Sequence, residues 1–304
     1  MIYDIAIIGG GAAGLSAAIY AARGGMNTVV FEGTGFGGQV NYTSDVDNYL
    51  GIPSVSGLDL AAKMHSHANM FDCNFKSESI REIKEISHPV KKLITRKNIY
   101  EAKTIIFATG ANPRKLGVLG EDELSGAGVS YCATCDGAFS KGKTAVVVGG
   151  GNTAFEDALY LAGICTKVYI INRSDKFRAA KLLVDKANLN PVIEILTNRR
   201  IEKIQGDSFV KSVITSNTIS GKIEVLNTDA VYIAIGRIPN TSLIKEYVKL
   251  SEDGSIVCDE HMNTSVSGVY AAGDVRNTPL RQIVTAASDG AIAATSAIYY
   301  INSL

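Results

Sequence analysis

The feature that most constrains the fold of this chain is a glycine-rich unit that occurs twice. In the first copy, the apolar run 3–8 leads into Gly9-Gly10-Gly11-Ala12-Ala13-Gly14, and the small-residue run 12–23 has a helical pattern. A second apolar run, 28–31, ends at Glu32, about 20 residues beyond the glycines, where a ribose-binding carboxylate belongs. This order of strand, glycine turn, helix, strand and acid predicts a parallel α/β domain that binds a dinucleotide.

Each glycine of the first copy has a separate task. Gly9 permits the tight turn, Gly11 lets the backbone approach a pyrophosphate, and Gly14 lets the helix pack closely on the strand. The pyrophosphate then lies at the start of the helix, where unpaired N–H groups and the helix dipole favour an anion. We therefore expect residues 9–14 and Glu32 to bind the cofactor.

The same unit recurs about 140 residues later in the chain. The apolar runs 145–148 and 168–171 match the two strands of the first copy, and Asn152 and Thr153 follow the glycines. This internal repeat predicts two nucleotide-binding lobes of similar construction. The corresponding positions are Gly9 and Gly149, Gly11 and Gly151, Gly14 and Ala154, Ala18 and Ala158, Tyr20 and Tyr160, and Ala22 and Ala162.

The two copies differ after their second strand. Asn172 takes the place of Glu32, and Arg173 and Arg178 follow it. A carboxylate repels a 2′-phosphate, whereas guanidinium groups bind one through paired N–H donors. The first lobe therefore suits FAD or NAD, and the second favours NADP. The alternative is that both arginines are ordinary surface charges.

A second pair of similar segments indicates how the lobes are connected. Residues 105–113 read IIFATGANP and residues 231–239 read VYIAIGRIP, each a strand that ends in a glycine turn. We take linkers near 111–118 and 237–243 from these turns. The fold class is then α/β, with two Rossmann-like three-layer dinucleotide-binding domains, the second inserted in the first. The predicted boundaries are 1–113 and 241–304 for the outer domain and 114–240 for the inserted domain, and the outer domain returns with a strand ending at Gly273-Asp274 and a helix at 282–300.

Composition and charge exclude several classes of protein. Lys plus Arg and Asp plus Glu each number 30, so the net charge of zero argues against a nucleic-acid binder that relies on a basic surface. The run from Ile5 to Ala22 carries no formal charge, but no Lys or Arg precedes it and glycines interrupt it. It therefore matches neither a membrane span nor a signal peptide. We expect a cytoplasmic protein without membrane or nucleic-acid partners.

One pair of cysteines has a spacing that carries chemistry. Cys132 and Cys135 form a C-x-x-C motif, and Asp136 follows directly as a proton donor and acceptor. One helical turn brings two such sulfurs together, which suits a redox disulfide. Covalent haem attachment needs a His after the second Cys, and a structural zinc site needs a second ligand pair, which His65 and His67 do not complete. No metal is expected, and two inert buried thiols remain an alternative.

These features together form an electron pathway. A nicotinamide delivers two electrons as hydride, a flavin accepts them and passes the pair to a disulfide, and a dithiol passes them on by exchange. This chain has one lobe for a nucleotide with a free 2′-OH, one lobe that favours NADP and a C-x-x-C motif. It therefore has a site for each of these three electron carriers.

At this point the sequence resembles the low-molecular-weight thioredoxin reductases over its whole length. The resemblance rests on the dithiol between two glycine-rich units and on a further set of short motifs. These are Cys132-Ala133-Thr134-Cys135-Asp136-Gly137, Gly37-Gly38-Gln39, Asn48, Ala108-Thr109-Gly110, Gly149-Gly150-Gly151-Asn152-Thr153-Ala154, Gly273-Asp274-Val275 and Arg281-Gln282.

The resemblance implies a flavoenzyme that reduces thioredoxin or a thioredoxin-like protein. Cys135 would face the flavin, Cys132 would attack thioredoxin, and Asp136 would be the acid/base. The family works as a homodimer whose two lobes rotate relative to each other. The cofactor residues implied for FAD are residues 9–14, Glu32, Gly38, Gln39, Asn48, Thr109, Gly110, Asp274, Arg281, Gln282 and Ile283, and those implied for NADPH are Gly149, Gly151, Asn152, Thr153, Ala154, Arg173 and Arg178.

One departure from the family pattern leaves the electron donor open. The family's phosphate-binding pattern is His-Arg-Arg, three residues and Arg, whereas this chain has Asn172-Arg173-Ser174-Asp175-Lys176-Phe177-Arg178. The intact glycine turn that ends in Ala154 favours NADPH. Reduced ferredoxin, which serves relatives that lack the pattern, and NADH remain alternatives. Two other functions also stay open: a flavin reductase that serves a peroxidase or another small disulfide protein, and a non-enzymatic redox sensor.

Overall fold

The chain divides into two units, and the second is inserted in the sequence of the first. The structure is a computed structural model that describes residues 1–43 and 46–304. Unit 1 comprises Met1–Asn112 and Ile238–Leu304, and unit 2 comprises Pro113–Arg237.

Unit 1 is built on a seven-stranded sheet with the order β3-β2-β1-β6-β5-β4, in which β17 also pairs with β6. The strands β1, β2, β3, β6 and β17 are parallel, while β4 and β5 add an antiparallel hairpin beside β6. The strands are β1 (Ile2–Ile8), β2 (Thr28–Phe31), β3 (Cys73–Lys76), β4 (Glu82–Lys84), β5 (Lys91–Ile94), β6 (Ile99–Phe107) and β17 (Val269–Ala271), and the helices are α1 (Ala12–Arg23), α2 (Gly57–Ala68) and α6 (Ile283–Asn302).

The central strand β1 is apolar because both faces of the sheet are covered. Ile5 and Ile7 lie in a core formed with α1 and α6, whereas Ala6 and Ile8 lie in a second core on the opposite face. Burial on both sides is the usual reason that parallel strands lack polar alternation. The two helices approach closely, since a Cβ at Gly290 of α6 would lie 2.0 Å from the carbonyl oxygen of Ala13.

Unit 2 has three layers. A parallel sheet with the order β11-β10-β9-β15-β8 lies between a helical layer and an antiparallel sheet with the order β12-β13-β14. Ala154, Phe155 and Ala158 pack in the core on the helical side, while Ile204 and Val213 pack in the core on the other. The elements are β8 (Val129–Ser130), α3 (Ala133–Asp136), β9 (Thr144–Val148), α4 (Asn152–Ala162), β10 (Lys167–Ile171), α5 (Lys181–Leu189), β11 (Ile193–Leu196), β12 (Arg199–Gly206), β13 (Val210–Asn217), β14 (Ile223–Asn227) and β15 (Ala230–Ile233).

The chain crosses between the units at β7 (Ala111–Pro113) and β16 (Arg237–Pro239), which pair with each other. Gly110 and Gly236, just before these strands, have φ angles of 67° and 109°. A Cβ at either position would meet nothing within 4 Å, so the backbone conformation rather than space explains the glycine.

The predicted fold class is confirmed. The predicted helix at 12–23 and strand at 28–31 match α1 and β2 residue for residue, and the predicted helix at 282–300 corresponds to Ile283–Asn302. Within residues 1–43 and 46–304, none of the helices has both the length and the apolar character of a membrane span.

Candidate active site

The first glycine turn joins β1 to α1 through backbone contacts that exclude larger residues. Gly9 has a φ angle of 111°, and a Cβ there would lie 2.2 Å from the carbonyl oxygen of Ala108. A Cβ at Gly14 would lie 1.9 Å from the carbonyl oxygen of Gly9. At Gly11, the N-cap of α1, a Cβ would approach nothing closer than 3.9 Å. The turn is therefore tight on its inner side and open at Gly11, as a pyrophosphate site requires.

Glu32 closes this turn through its carboxylate. The N–H of Gly10 donates to Oε2 at 2.8 Å, and the N–H and Oγ1 of Thr34 donate to Oε1 at 2.8 and 2.9 Å. Burial by itself raises the pKa of Glu32, but the hydrogen bonds from Thr34 and Gly10 outweigh it and hold the pKa below its ordinary value. Glu32 is thus an anion at neutral pH, able to accept further hydrogen bonds from ribose hydroxyls.

Other residues predicted to bind the first cofactor lie around the same turn. Gly11 forms a parallel bridge with Gly37, and a Cβ at Gly11 would lie 3.9 Å from Cα of Gly38. A Cβ at Gly9 would also lie 3.1 Å from the nitrogen of Thr109, and one at Gly273 would lie 3.0 Å from Cβ of Ala13. The end of β6, the loop after β2 and the turn after β17 therefore converge on the start of α1.

A second group of predicted residues lies at the start of α6. Gln282 is the N-cap of this helix, and its Oε1 accepts a hydrogen bond from Nδ2 of Asn48 at 3.2 Å. Ile283 is the first residue of the helix. Arg281 donates from Nη2 to Oγ of Ser255 at 3.4 Å, while its buried Nε has no hydrogen-bond partner among the residues that the structure describes. A buried donor of this kind suits an acceptor on a ligand.

An ion pair that the sequence analysis missed supports the turn that carries Asp274. Asp289 of α6 accepts a hydrogen bond from the N–H of Gly273 at 3.1 Å, and both of its carboxylate oxygens lie 3.1 Å from Nη1 of Arg276. Asp289 is 7% exposed. Asp289 is the only charged residue of α6, and this is the signal that identifies it.

The second glycine turn joins β9 to α4 with a similar backbone. Gly149 has a φ angle of 150°, and a Cβ there would lie 2.4 Å from the carbonyl oxygen of Ala234. The carbonyl oxygen of Gly150 accepts hydrogen bonds from the N–H groups of Arg178 and Ala179 at 2.7 and 3.1 Å. The segment with the predicted arginines therefore lies directly against the turn.

Asn172 organises that segment. It is 8% exposed, and its Nδ2 donates to the carbonyl oxygens of Ser174 and Lys176 at 2.9 and 3.0 Å. Asn152, at the start of α4, accepts a hydrogen bond from the N–H of Ala180 at 2.8 Å. The side chains of Arg173 and Arg178 are exposed, so this loop presents two cations beside the turn.

The two cysteines of the C-x-x-C motif form a disulfide in unit 2. Cys132 and Cys135 are bonded, with their Cα atoms 5.3 Å apart; Cys132 is the N-cap of the short helix α3 and Cys135 lies within it. The N–H groups of Cys135 and Asp136 donate to the carbonyl oxygen of Cys132 at 3.2 and 3.1 Å. The hydroxyl of Thr134 lies 3.4 Å from Sγ of Cys132. Both cysteines are half-buried, which is typical of reactive rather than structural cysteines.

Two further side chains upstream of the dithiol were not found from the sequence. Oγ of Ser130 lies 2.6 Å from Oδ2 of Asp136, and Tyr131 donates from its hydroxyl to Glu121 at 2.8 Å. Glu121 is 1% exposed and also accepts the N–H groups of Leu116 and Gly117 at 3.0 and 2.7 Å. Burial and the Glu121 carboxylate raise the pKa of Tyr131, which stays protonated.

The comparisons with known proteins agree with this arrangement. A family model for the pyridine nucleotide-disulphide oxidoreductases matches residues 3–290. The thioredoxin reductase of Peptoclostridium acidaminophilum is 43% identical over 99% of this chain and 98% of its own length. The crystal structure of thioredoxin reductase from Streptococcus pyogenes is similar with a TM-score of 0.94 and 40% identity, covering 100% of this chain and 99% of that one. A ferredoxin-flavin thioredoxin reductase from Clostridium acetobutylicum is similar with a TM-score of 0.55 and 33% identity, covering 100% of this chain and 98% of that one.

Proposed function

Because the chain belongs to the pyridine nucleotide-disulphide oxidoreductase family, whose members use a flavin and a pyridine nucleotide, we propose that it is a thioredoxin reductase. The proposal is that FAD carries an electron pair from NADPH to the disulfide of Cys132 and Cys135, and that the dithiol reduces oxidised thioredoxin. The observation that carries it is the disulfide beside Asp136, in a unit that also contains a nucleotide-binding turn.

The residues of unit 1 fit FAD. The open position at Gly11, the start of α1 and the buried Nε of Arg281 offer places for a pyrophosphate and for an acceptor, and the ionised Glu32 suits a ribose. When bound, FAD accepts a hydride and passes the electron pair to a disulfide. The residues proposed to hold it are Gly9, Gly11, Ala12, Ala13, Gly14, Glu32, Gly38, Gln39, Asn48, Thr109, Gly110, Asp274, Arg281, Gln282 and Ile283.

The dithiol would reduce thioredoxin by two exchange steps. In the reduced protein, the thiolate of Cys132 attacks one sulfur of the thioredoxin disulfide, forms a mixed disulfide and releases the other sulfur as a thiolate. Cys135 then attacks Sγ of Cys132, which breaks the mixed disulfide, releases the second thioredoxin sulfur and restores the Cys132–Cys135 disulfide. Thioredoxin gains two electrons and two protons, and the dithiol loses them. Asp136 would accept and return the proton.

The donor proposed for this chain is NADPH. The second turn has no carboxylate at the position of Glu32, and Arg173 and Arg178 lie exposed on the segment that the turn holds. Guanidinium groups at this position suit a 2′-phosphate. The residues proposed to bind NADPH are Gly149, Gly151, Asn152, Thr153, Ala154, Arg173 and Arg178.

Reduced ferredoxin is the second candidate donor. Two observations favour it: the incomplete set of arginines after β10, and the structural similarity to a ferredoxin-flavin thioredoxin reductase. The resemblance also leads us to propose a homodimer, which gel filtration of the purified chain tests. The proposed cytoplasmic location comes instead from the sequence, in which no run matches a membrane span or a signal peptide.

One experiment tests the function and the donor together. The purified protein is loaded with FAD and titrated without oxygen, first with NADPH, then with NADH and then with reduced ferredoxin, while the flavin absorbance is followed. Oxidised thioredoxin is then added. NADPH is expected to bleach the flavin and thioredoxin to restore its colour. If only reduced ferredoxin bleaches the flavin, the proposed donor is ferredoxin and not NADPH.

The dithiol is tested with single variants. Cys132→Ser and Cys135→Ser are each expected to abolish thioredoxin reduction, while Cys73→Ser, in the half-buried thiol of β3, keeps it. Turnover by the Cys132→Ser, Cys135→Ser double variant would refute the proposal. Cofactor binding without any turnover of the native protein would instead indicate a redox sensor.

A further inference from the structure

Ser130, the last residue of β8, lies between the acid/base candidate and the dithiol. Its side chain is 8% exposed. Its Oγ lies 2.6 Å from Oδ2 of Asp136, 3.1 Å from the nitrogen of Cys132 and 3.3 Å from the carbonyl oxygen of Cys132. A single hydroxyl therefore contacts both the carboxylate and the backbone of the cysteine proposed to attack thioredoxin.

The hydroxyl of Ser130 donates its hydrogen to the carboxylate of Asp136. A hydroxyl has one hydrogen to donate, and hydrogen bonds to a charged acceptor are both shorter and stronger than those to a neutral carbonyl. The 2.6 Å contact with Asp136 is the shorter of the two candidates. Ser130 then accepts the N–H of Cys132 on a lone pair, so a continuous hydrogen-bond chain runs from Cys132 through Ser130 to Asp136.

The strand fixes the hydroxyl in this place. Val129 and Ser130 of β8 pair in register with Val231 and Tyr232 of β15. Tyr232 also donates from its hydroxyl to the carbonyl oxygen of Asp136 at 3.2 Å. The main chain of Asp136 is thus held by the parallel sheet, and its side chain is held by Ser130.

We infer that Ser130 is a positioning residue for Asp136 in thiol–disulfide exchange. This inference rests on the proposed function. The hydroxyl fixes the orientation of the carboxylate relative to the sulfurs, and its donated hydrogen bond favours the ionised carboxylate over the protonated one. Without it, the carboxylate retains its proton to higher pH and loses this restraint on its orientation.

Two titratable groups near Asp136, Tyr232 and Cys165, keep their protons at neutral pH in their present surroundings. Burial raises the pKa of Tyr232 to about 12, and Cys165, which lies close to Tyr232, has its thiol pKa raised by burial. Tyr160 of α4 is a third neighbour of Tyr232. Asp157 lies on α4, the helix that packs against α3, and burial raises its pKa to about 7. Asp157 is unchanged in every variant below, so a limb that is displaced in Ser130→Ala but not in Ser212→Ala reports on the exchange site.

The test compares Ser130→Ala with two matched variants. Ser130→Ala removes the hydroxyl from a buried position without adding volume, and Ser130→Thr keeps it. Ser212→Ala is the control, because Ser212 is also 8% exposed in unit 2 and bonds instead to Oε1 of Gln205 at 3.2 Å. Thioredoxin reduction is measured from acid to alkaline pH, together with the rate at which iodoacetamide alkylates the chemically reduced dithiol at each pH.

We expect Ser130→Ala to change kcat and not KM. Ser130→Ala lowers kcat about tenfold near neutral pH, leaves KM for thioredoxin unchanged and moves the limb governed by Asp136 about one unit to higher pH. The limb moves to higher pH whether turnover needs the charged or the protonated carboxylate. In either case, the limb marks the pH at which the carboxylate exchanges its proton, and this pH rises when the hydrogen bond is removed. Ser130→Thr and Ser212→Ala are expected to follow the native profile.

Two results would overturn the inference. One is a native pH profile for Ser130→Ala in both turnover and alkylation. The other is an equal loss of activity at every pH without a displaced limb, which a purely structural effect on β8 would give. If the native protein itself does not reduce thioredoxin, the proposed function fails, and the alkylation profile still decides whether Ser130 acts on the dithiol.

Discussion

The two glycine turns share a backbone and differ in what closes them. In the first, the N–H of Gly10 donates to the carboxylate of Glu32, and the carbonyl oxygen of Gly10 accepts the N–H of Gly37 at 2.7 Å. In the second, the carbonyl oxygen of Gly150 accepts the N–H groups of Arg178 and Ala179. The repeat therefore preserves the turn while the segment after the second strand differs.

This difference indicates which part of the unit would select the ligand in the proposed function. The turn requires glycine for steric reasons that are common to both copies, as the close contacts of Gly9 and Gly149 show. The charge beside the turn is set one strand later, by Glu32 in unit 1 and by Asn172 with its two arginines in unit 2. Residues that differ between the copies at that point are the ones to exchange in experiments.

The helices that follow the turns differ in the same way. Ala13 and Ala17 of α1 are buried against α6, and Ser16 donates from Oγ to the carbonyl oxygen of Ala287 at 2.6 Å. The corresponding positions of α4 are Thr153, Asp157 and Glu156, of which Thr153 and Glu156 are exposed. The same helical face is a packing surface in unit 1 and a polar surface in unit 2.

The largest expected effect comes from exchanging the third glycine position. Gly14→Ala places a methyl group 1.9 Å from the backbone oxygen of Gly9, whereas α4 already has Ala154 at this position. We expect Gly14→Ala to destabilise unit 1 by about 3 kcal/mol and to abolish FAD retention. Ala154→Gly should cost only about 1–2 kcal/mol, from helix propensity and the lost methyl contact.

Urea unfolding of both variants, followed by circular dichroism, and the flavin absorbance after desalting measure these effects. If both variants lost a similar free energy of unfolding, the predicted steric difference between the two turns would be refuted.

The turns were predictable because the requirement is local. Spacing of glycines between an apolar run and a small-residue run depends on backbone sterics alone, and α1 and β2 begin and end where this pattern predicts. The dithiol was recognisable for the same reason, since Cys132 and Cys135 are three residues apart.

The supporting residues were not predictable because they act across the sequence. Glu121 contacts Tyr131 ten residues away, and Asp289 contacts the N–H of Gly273 sixteen residues away. The antiparallel sheet of β12, β13 and β14 replaces a helical layer on one face of unit 2, and its strands pair across loops rather than through a local motif. Asn172 was read as the loss of an acid, whereas its amide also folds the following loop.

The second prediction concerns Asn172, which stands in unit 2 where Glu32 stands in unit 1. Asn172→Glu places a carboxylate beside the proposed 2′-phosphate site, where like charges repel by several kcal/mol. We expect the affinity for NADP⁺ to fall at least about a hundredfold and that for NAD⁺ to change much less. Asn172→Gln, which adds the same length without the charge, is the control. Calorimetric titration measures both, and an equal loss for the two nucleotides would place the 2′-phosphate elsewhere.

The third prediction removes the arginines one at a time. Arg173→Ala and Arg178→Ala are each expected to weaken NADP⁺ binding about tenfold by the loss of a charge-assisted contact, and to leave NAD⁺ binding unchanged. Lys186→Ala, an exposed cation on α5, controls for net charge. Unchanged NADP⁺ affinity in both arginine variants would mean that they are ordinary surface charges and would favour ferredoxin as the donor.

The smallest expected effect concerns Asp157, which corresponds to the buried Ala17 of α1. Burial, with repulsion from Glu156, raises the pKa of Asp157 from 3.8 to about 7, partly offset by Arg237. The folded protein then binds a proton that the unfolded chain releases between these values, so the contribution of Asp157 to stability falls as the pH rises through this window. Removing the titration should therefore stabilise unit 2 on the alkaline side and not on the acid side.

Asp157→Asn is expected to raise the free energy of unfolding by about 1 kcal/mol at pH 8 relative to the native chain, with a smaller difference at about pH 4. Asp157→Ala, which installs the residue of the first copy, should give the same pH trend if the charge rather than the volume matters. Asp185→Asn, in an exposed acid on α5, is the control. Parallel stability curves for Asp157→Asn and the native chain from acid to alkaline pH would show that Asp157 is ionised at neutral pH, and that the polar face of α4 carries a charge without destabilising the unit.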